Sequence, residues 1–216
     1  MLESTILKET TGMSFLGGIF GPSRDEVWQQ LCAEIGADFV DGGFWKGDKV
    51  QAQVRNWTVT LDTYTVSSGH SHVTYTRMRA PFVSRDGFRF RIYRKSLFSG
   101  LGKALGMQDI EVGHSLHFDE DFVIQGNDEH KVRALFASSE VRRLIDEQPR
   151  IHFELKDDEG VFSKHFPEGV DELYFQVVGV IKDVGRLKQL FDLFAAVLEE
   201  LHRIGSAGGE DPGVAL

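Results

Sequence analysis

The chain has 216 residues, 41% of them hydrophobic and 26% charged, with a formal net charge of −9. That is enough chain to bury a substantial core, and the negative balance disfavours binding to a phosphate backbone. The single cysteine, Cys32, excludes an intrachain disulfide and a paired-cysteine zinc site.

Residues 1–21 form a mixed, glycine-rich N-terminal segment in which Met13–Phe20 reads as an edge strand or a docked apolar segment. Ser23-Arg24-Asp25-Glu26 then has the form of a capping box. Behind it, Val27, Trp28, Leu31, Cys32 and Ile35 share one helical face, and Gly36 suits the left-handed residue that ends a helix. From Phe39 to Arg94 the period changes to two. Strands are predicted near Lys49–Arg55, Trp57–Thr65, Val73–Phe82 and Phe88–Tyr93, and the short turns between them allow only antiparallel neighbours. A short helix is predicted over Ser96–Leu105.

The stretch His117–Asp158 organises the second half. It reads as a strand (Phe118–Gln125), a helix broken or bent near Ser138-Ser139, and a further strand. Strands are predicted at Arg150–Lys156, Val161–Phe166 and Glu172–Ile181. The helix Val184–Arg203 carries the strongest amphipathic stripe, from Leu187 to Leu201, with Asp183 as its cap and Gly205 as its stop. Residues 206–216 have the composition of a disordered tail.

The expected fold class is therefore α+β: antiparallel sheet with helices packed mainly on one face. The order of elements suggests two similar strand-helix-strands-helix units in tandem, residues 22–106 and 107–205, packed as one body over a continuous curved sheet.

Candidate chemistry is thin. His70 with His72, and His114 with His117, supply imidazoles in two close pairs, the donors a zinc enzyme would need. Nothing in their spacing brings the pairs together, and they are weak metal candidates. Asp119-Glu120-Asp121 reads as the hydrated lead-in to a strand. Asp157–Gly160 lacks the ligand spacing of a calcium loop and reads as a turn. Ser99–Gly106 lacks the first glycine and the Ser/Thr of a phosphate loop. No nucleophile elbow is present, and Cys32 falls on the apolar face of its helix. The basic residues Arg77, Arg79, Arg85, Arg89, Arg91, Arg94 and Lys95 alternate with apolar ones, as on the solvated face of a strand. Gly126-Asn127-Asp128 opens a helix whose N-terminus offers backbone donors, but its own acidic residues occupy that end.

The residues thus predict a non-enzymatic binding or adaptor domain with no cofactor. Its expected partner is a protein or a small apolar ligand, and no nucleic acid. With one cysteine, no basic leader and no apolar run long enough to span a bilayer, a cytoplasmic location is expected. Two alternatives remain: a metal-dependent enzyme built on the four histidines, and a peripheral membrane protein using the apolar glycine-rich segments 13–20 and 97–107.

Overall fold

The computed structural model describes residues 21–43, 47–97, 108–113, 115–157 and 166–216. The protein is an α+β fold built on one antiparallel sheet. In chain order its elements are α1 (Arg24–Ile35), β1 (Asp38–Val40), β2 (Lys49–Val54), β3 (Trp57–Ser68), β4 (Ser71–Val83), β5 (Phe90–Arg94), β6 (Gln108–Asp109), α2 (Leu116–Asp121), β7 (Phe122–Gly126), α3 (Glu129–Leu135), α4 (Ser139–Asp146), β8 (His152–Lys156), β9 (Val170–Val178) and α5 (Val184–Arg203). Among the described residues the sheet has nine strands in the order β1-β2-β3-β4-β9-β8-β5-β7-β6.

Side-chain alternation gives this sheet two different faces. Val50, Leu61, Met78, Phe175, Phe153, Ile92 and Ile124 are register partners in sequence across seven strands. Each of these seven is buried, and together they form the floor of the core. The helices cover that floor. Phe194 of α5 meets Phe153 edge-on with ring centres 5.4 Å apart, and Phe136, just after α3, meets Phe90 at 5.6 Å. The stripe from Leu187 to Leu201 on α5 is buried, as its helical period requires. Lys188 on α5 reaches Glu34 on α1 at 3.0 Å.

Local signals explain most of the boundaries. The Ser23–Glu26 capping box forms with both reciprocal bonds, and Gly36 takes φ 67° behind α1. Ser138 caps α4, which divides the expected long helix in two. Gly126 has no room for a side chain: a Cβ there would lie 2.5 Å from Val132 Cγ2.

Several expectations change. The predicted strand Phe118–Gln125 is helix α2 up to Asp121 and strand β7 from Phe122. Phe118 and Phe122 lie four residues apart, which suits one face of a helix as well as one face of a strand. The helical choice is locked in by Ser115, whose side chain caps the Phe118 N–H, and by Asp119, whose carboxylate accepts from the Val112 and Gly113 N–H groups.

Residues 206–216, expected to be disordered, pack against the sheet. Ser206 and Ala207 are buried, and the backbone bonds Arg85 N–H to Ser206 O and Gly208 N–H to Val83 O anchor them. Strand β5 of the 22–106 span pairs with β7 and β8 of the 107–205 span, so the sheet is continuous across that boundary. The edge strand expected over Met13–Phe20, most of the helix over Ser96–Leu105 and most of the strand over Val161–Phe166 lie outside the described residues.

Candidate functional site

One residue along each strand from the apolar row runs a polar one, on the face turned away from the helices. Gln51, Thr60, Arg79, Tyr174, Glu154, Arg91, Gln125 and Asp109 are register partners in sequence across eight strands. Their side chains bond along the row and to the residues flanking it. Gln51 donates to Thr60 at 3.1 Å, Arg91 to Glu154 at 2.6 Å and Gln125 to Asp109 at 2.8 Å. Beside the row, Asp62 receives Arg77 bidentately at 2.8 and 2.7 Å, and Arg79 at 2.7 Å.

Two carboxylates on this face are almost fully buried and behave in opposite ways. Glu154, 4% exposed, is surrounded by Arg91, His152 at 3.2 Å and Lys156 at 3.3 Å. Burial alone would raise its carboxyl, but the hydrogen bond and charge of His152, then Lys156 and Arg91, bring it down to about 2. Glu172, 7% exposed, has no hydrogen bond to Oε1, and Arg79 Nε, 3.9 Å away, is itself without a hydrogen bond. There burial wins over Arg79, Lys156 and Arg77, and the carboxyl is pushed up to about 7. Burial, then the neighbouring Tyr64 hydroxyl, also raises the Tyr174 phenol and keeps it neutral.

The face changes character along the strands. At one end, residues 211–216 lie over Gln51, Thr58, Thr60 and Pro81, leaving a hollow of about 330 Å³ beneath them. At the other end the ladder gives way to apolar surface. Tyr64 and Tyr75 stack at 5.1 Å, and Val66, Val73 and Val178 are 47%, 36% and 55% exposed. Next to them a hollow of about 280 Å³ is lined by Tyr75, Ile151, Val177 and Val178, with Arg150, His152 and Gln176 as its polar groups. His152 contacts Glu154, and Gln176 accepts from both the Tyr64 and Tyr174 hydroxyls, at 2.6 and 2.9 Å. The hollow therefore abuts the ladder through His152 and Gln176.

The residues singled out by sequence fall in several places. His70 and His72 are exposed at the β3–β4 turn, where His72 pairs with Ser67 at 2.7 Å. His114 lies outside the described residues. His117 stands on α2 with Asp121 and Asp146, their ligand atoms within 4.8 Å of one another; neither His70 nor His72 belongs to this group. Arg94 already donates to both of those carboxylates, at 3.1 and 3.2 Å. The basic residues on the strands are likewise partnered: Arg89 grips Asp171 at 2.6 and 2.8 Å, and Arg85 pairs with Glu210. The Cys32 thiol is raised by burial first and by Asp38 second. Asp128 is the cap of α3, accepting from Lys131 N–H at 3.0 Å, while Asn127 bridges to Arg89 and Gly87 at 2.8 and 2.9 Å.

The polar ladder was not anticipated. Its trace in the sequence is the alternation of Arg77 with Arg79 and of Arg89 with Arg91, and of His152, Glu154 and Lys156 on a separate strand. Which of them meet depends on register between strands far apart in the chain.

No protein-family model matches the chain, and no curated protein matches it in sequence. Among solved structures, it is similar to the crystal structure of the mycobacterial trehalose monomycolate transport factor A, TtfA. The TM-score is 0.51 and the identity 8%, over 86% of this chain and 98% of that one. At that identity the likeness concerns the fold. No described helix is long and apolar enough to cross a membrane.

Proposed function

We propose that this chain is a non-enzymatic binding domain whose ligand is a small amphipathic molecule, held on the open face of the sheet. An aliphatic chain would occupy the hollow lined by Tyr75, Ile151, Val177 and Val178, and its polar head would meet Arg150, His152 and Gln176. The observation that carries this reading is the junction itself: an apolar hollow whose His152 and Gln176 contact Glu154 and Tyr174 of a fixed polar ladder. At about 280 Å³ the hollow suits one short chain rather than a bulky ring system. The similar transport factor is named for trehalose monomycolate, a polar head on a lipid, which favours a ligand of the same general character. Arg77, Arg79, Arg89, Arg91 and Arg94 all hold carboxylates, which argues against a nucleic-acid surface.

Calorimetric titration with a medium-chain fatty acid and an alkyl disaccharide, both below their micelle concentrations, tests this. Saturable one-site binding to at least one of them, lost in Val178→Asp, is the expected result. No binding to either, or binding that Val178→Asp leaves unchanged, overturns it.

A further inference from the structure

Strands β3 and β4 outrun their neighbours. Strand β2 pairs with β3 only as far as Leu61, and β9 pairs with β4 only as far as Thr76. Among the described residues, apart from an isolated bridge at Gly179, whose N–H donates to Thr74 O, the segment Thr65–Thr74 pairs with itself. Four residues of each strand project, about 13 Å at the usual rise.

This hairpin has an unusual composition. Residues 63–76 contain no Asp, Glu, Lys or Arg, in a chain that is 26% charged. Exposed strands ordinarily carry charge that keeps other chains away. Here the alternation instead separates an apolar face, Tyr64, Val66, Val73 and Tyr75, from a face of Thr65, Ser67, His72 and Thr74. The polar face is satisfied within itself, Thr65 to Thr74 at 2.9 Å and Ser67 to His72 at 2.7 Å. Arg150 and Lys182 stand exposed at the base, Arg150 beside Tyr75 and Val178, and Lys182 following Ile181, which donates to Thr76.

We propose that the β3–β4 hairpin docks by its apolar face on the surface of a bilayer containing anionic lipid. A surface of low dielectric favours a projection with no ionised group to desolvate. Valine contributes apolar area, and Tyr75 suits the headgroup level, with an apolar ring and a polar tip, while the Tyr64 hydroxyl is held by Gln176. Among the described residues, the outer edges of the two strands have no ladder partner beyond Gly179, which confines the hairpin to the interface and forbids spanning. The basic residues at its base complement anionic headgroups, which the net charge of −9 elsewhere would otherwise repel. A peptide partner would have no comparable reason to exclude charge from both faces. Tyr75 and Arg150 belong to both this surface and the hollow, but Val66 and Val73 are outside the hollow's lining, so substitutions of the valines test docking separately from the amphiphile site.

Flotation of the full chain with vesicles of phosphatidylcholine alone, or of phosphatidylcholine with one-third phosphatidylglycerol, tests the proposal. The chain is expected to float with the mixed vesicles and less with the neutral ones. Val66→Asp and Val73→Asp, both at exposed positions, should lower the bound fraction roughly tenfold by placing a charge at the interface, with melting temperatures unchanged. Thr65→Lys, on the opposite face and of the sign that anionic lipid attracts, should retain more binding than either valine variant. Absence of flotation, flotation that the valine substitutions spare, or equal losses from Thr65→Lys would each overturn the proposal. So would a concentration-dependent dimer without lipid that Val66→Asp dissolves, because the hairpin would then be a self-association surface.

Discussion

Glu172 makes a prediction about stability that depends on the open face being closed to water. Its carboxyl is 7% exposed, lacks a hydrogen bond at Oε1, and is pushed from 4.5 up to about 7 by burial. The folded state therefore holds a proton that the unfolded chain has released. Stability is full below about 4.5 and is lost as pH rises through about 7. At about 1.4 kcal/mol per pH unit, the full loss is roughly 3 kcal/mol. Glu154 works in the opposite direction: its carboxyl is brought down to about 2, so its stabilisation is present above 4.5 and is lost only below that. The two windows do not overlap, and comparison with a variant lacking the carboxyl isolates the Glu172 contribution between about pH 5 and about pH 8. Glu172→Gln keeps the shape and removes the ionisation. Denaturant titrations at about pH 5 and about pH 8 should show wild type losing roughly 3 kcal/mol more than the variant over that interval, leaving the variant more stable at the higher pH. A variant destabilised equally at both values, or one with the wild-type pH dependence, would refute a buried, protonated Glu172.

Other substitutions address the core, the caps and the tail. Phe194→Ala, at a fully buried site against Phe153, should cost about 3–5 kcal/mol by denaturant titration; a loss below about 1 kcal/mol would mean α5 is not packed on the sheet. Asp128→Ala removes the cap of α3 and should cost about 1 kcal/mol with ligand binding unchanged. Asn127→Ala should cost a similar amount or more, because it breaks bonds to both Arg89 and Gly87. Cutting the chain after Gly205 removes the anchors of Ser206 and Gly208 and should lower stability by roughly 2–3 kcal/mol; an unchanged melting temperature would show that the tail is not held. A chelator should leave the melting temperature unchanged, and a clear drop that His117→Ala abolishes would establish metal at His117, Asp121 and Asp146.

What could be read from the sequence follows from how far apart the determining residues are. The capping box at Ser23, the left-handed Gly36, the break at Ser138 and the stripe of α5 are local patterns, and each appears where its spacing placed it. Helix α2 escaped because Phe118 and Phe122 satisfy two periods at once, and the deciding bonds come from Ser115 and Asp119 rather than from the apolar pattern. The tail escaped for a different reason. Its glycines and small residues look unstructured by composition, yet its hold on the sheet is made largely by backbone groups, which composition does not report.

The open face shows most clearly where local reading ends. Arg77, Arg79 and Arg91 alternate with apolar residues and predict a solvated surface, and alternation alone cannot distinguish that from a ladder closed by partners. The difference is made by Asp62 and Glu154 arriving from two other strands, the second more than 60 positions further along the chain. Once register sets those pairs, charge is consumed in the middle of the face, and the uncharged surface left over gathers at the β3–β4 end, around Tyr64, Tyr75 and Val178. The same register that buries Glu172 therefore concentrates the exposed apolar groups beside the hollow. A binding site at that end requires no residue with unusual reactivity, only an apolar surface bounded by polar groups already fixed in place.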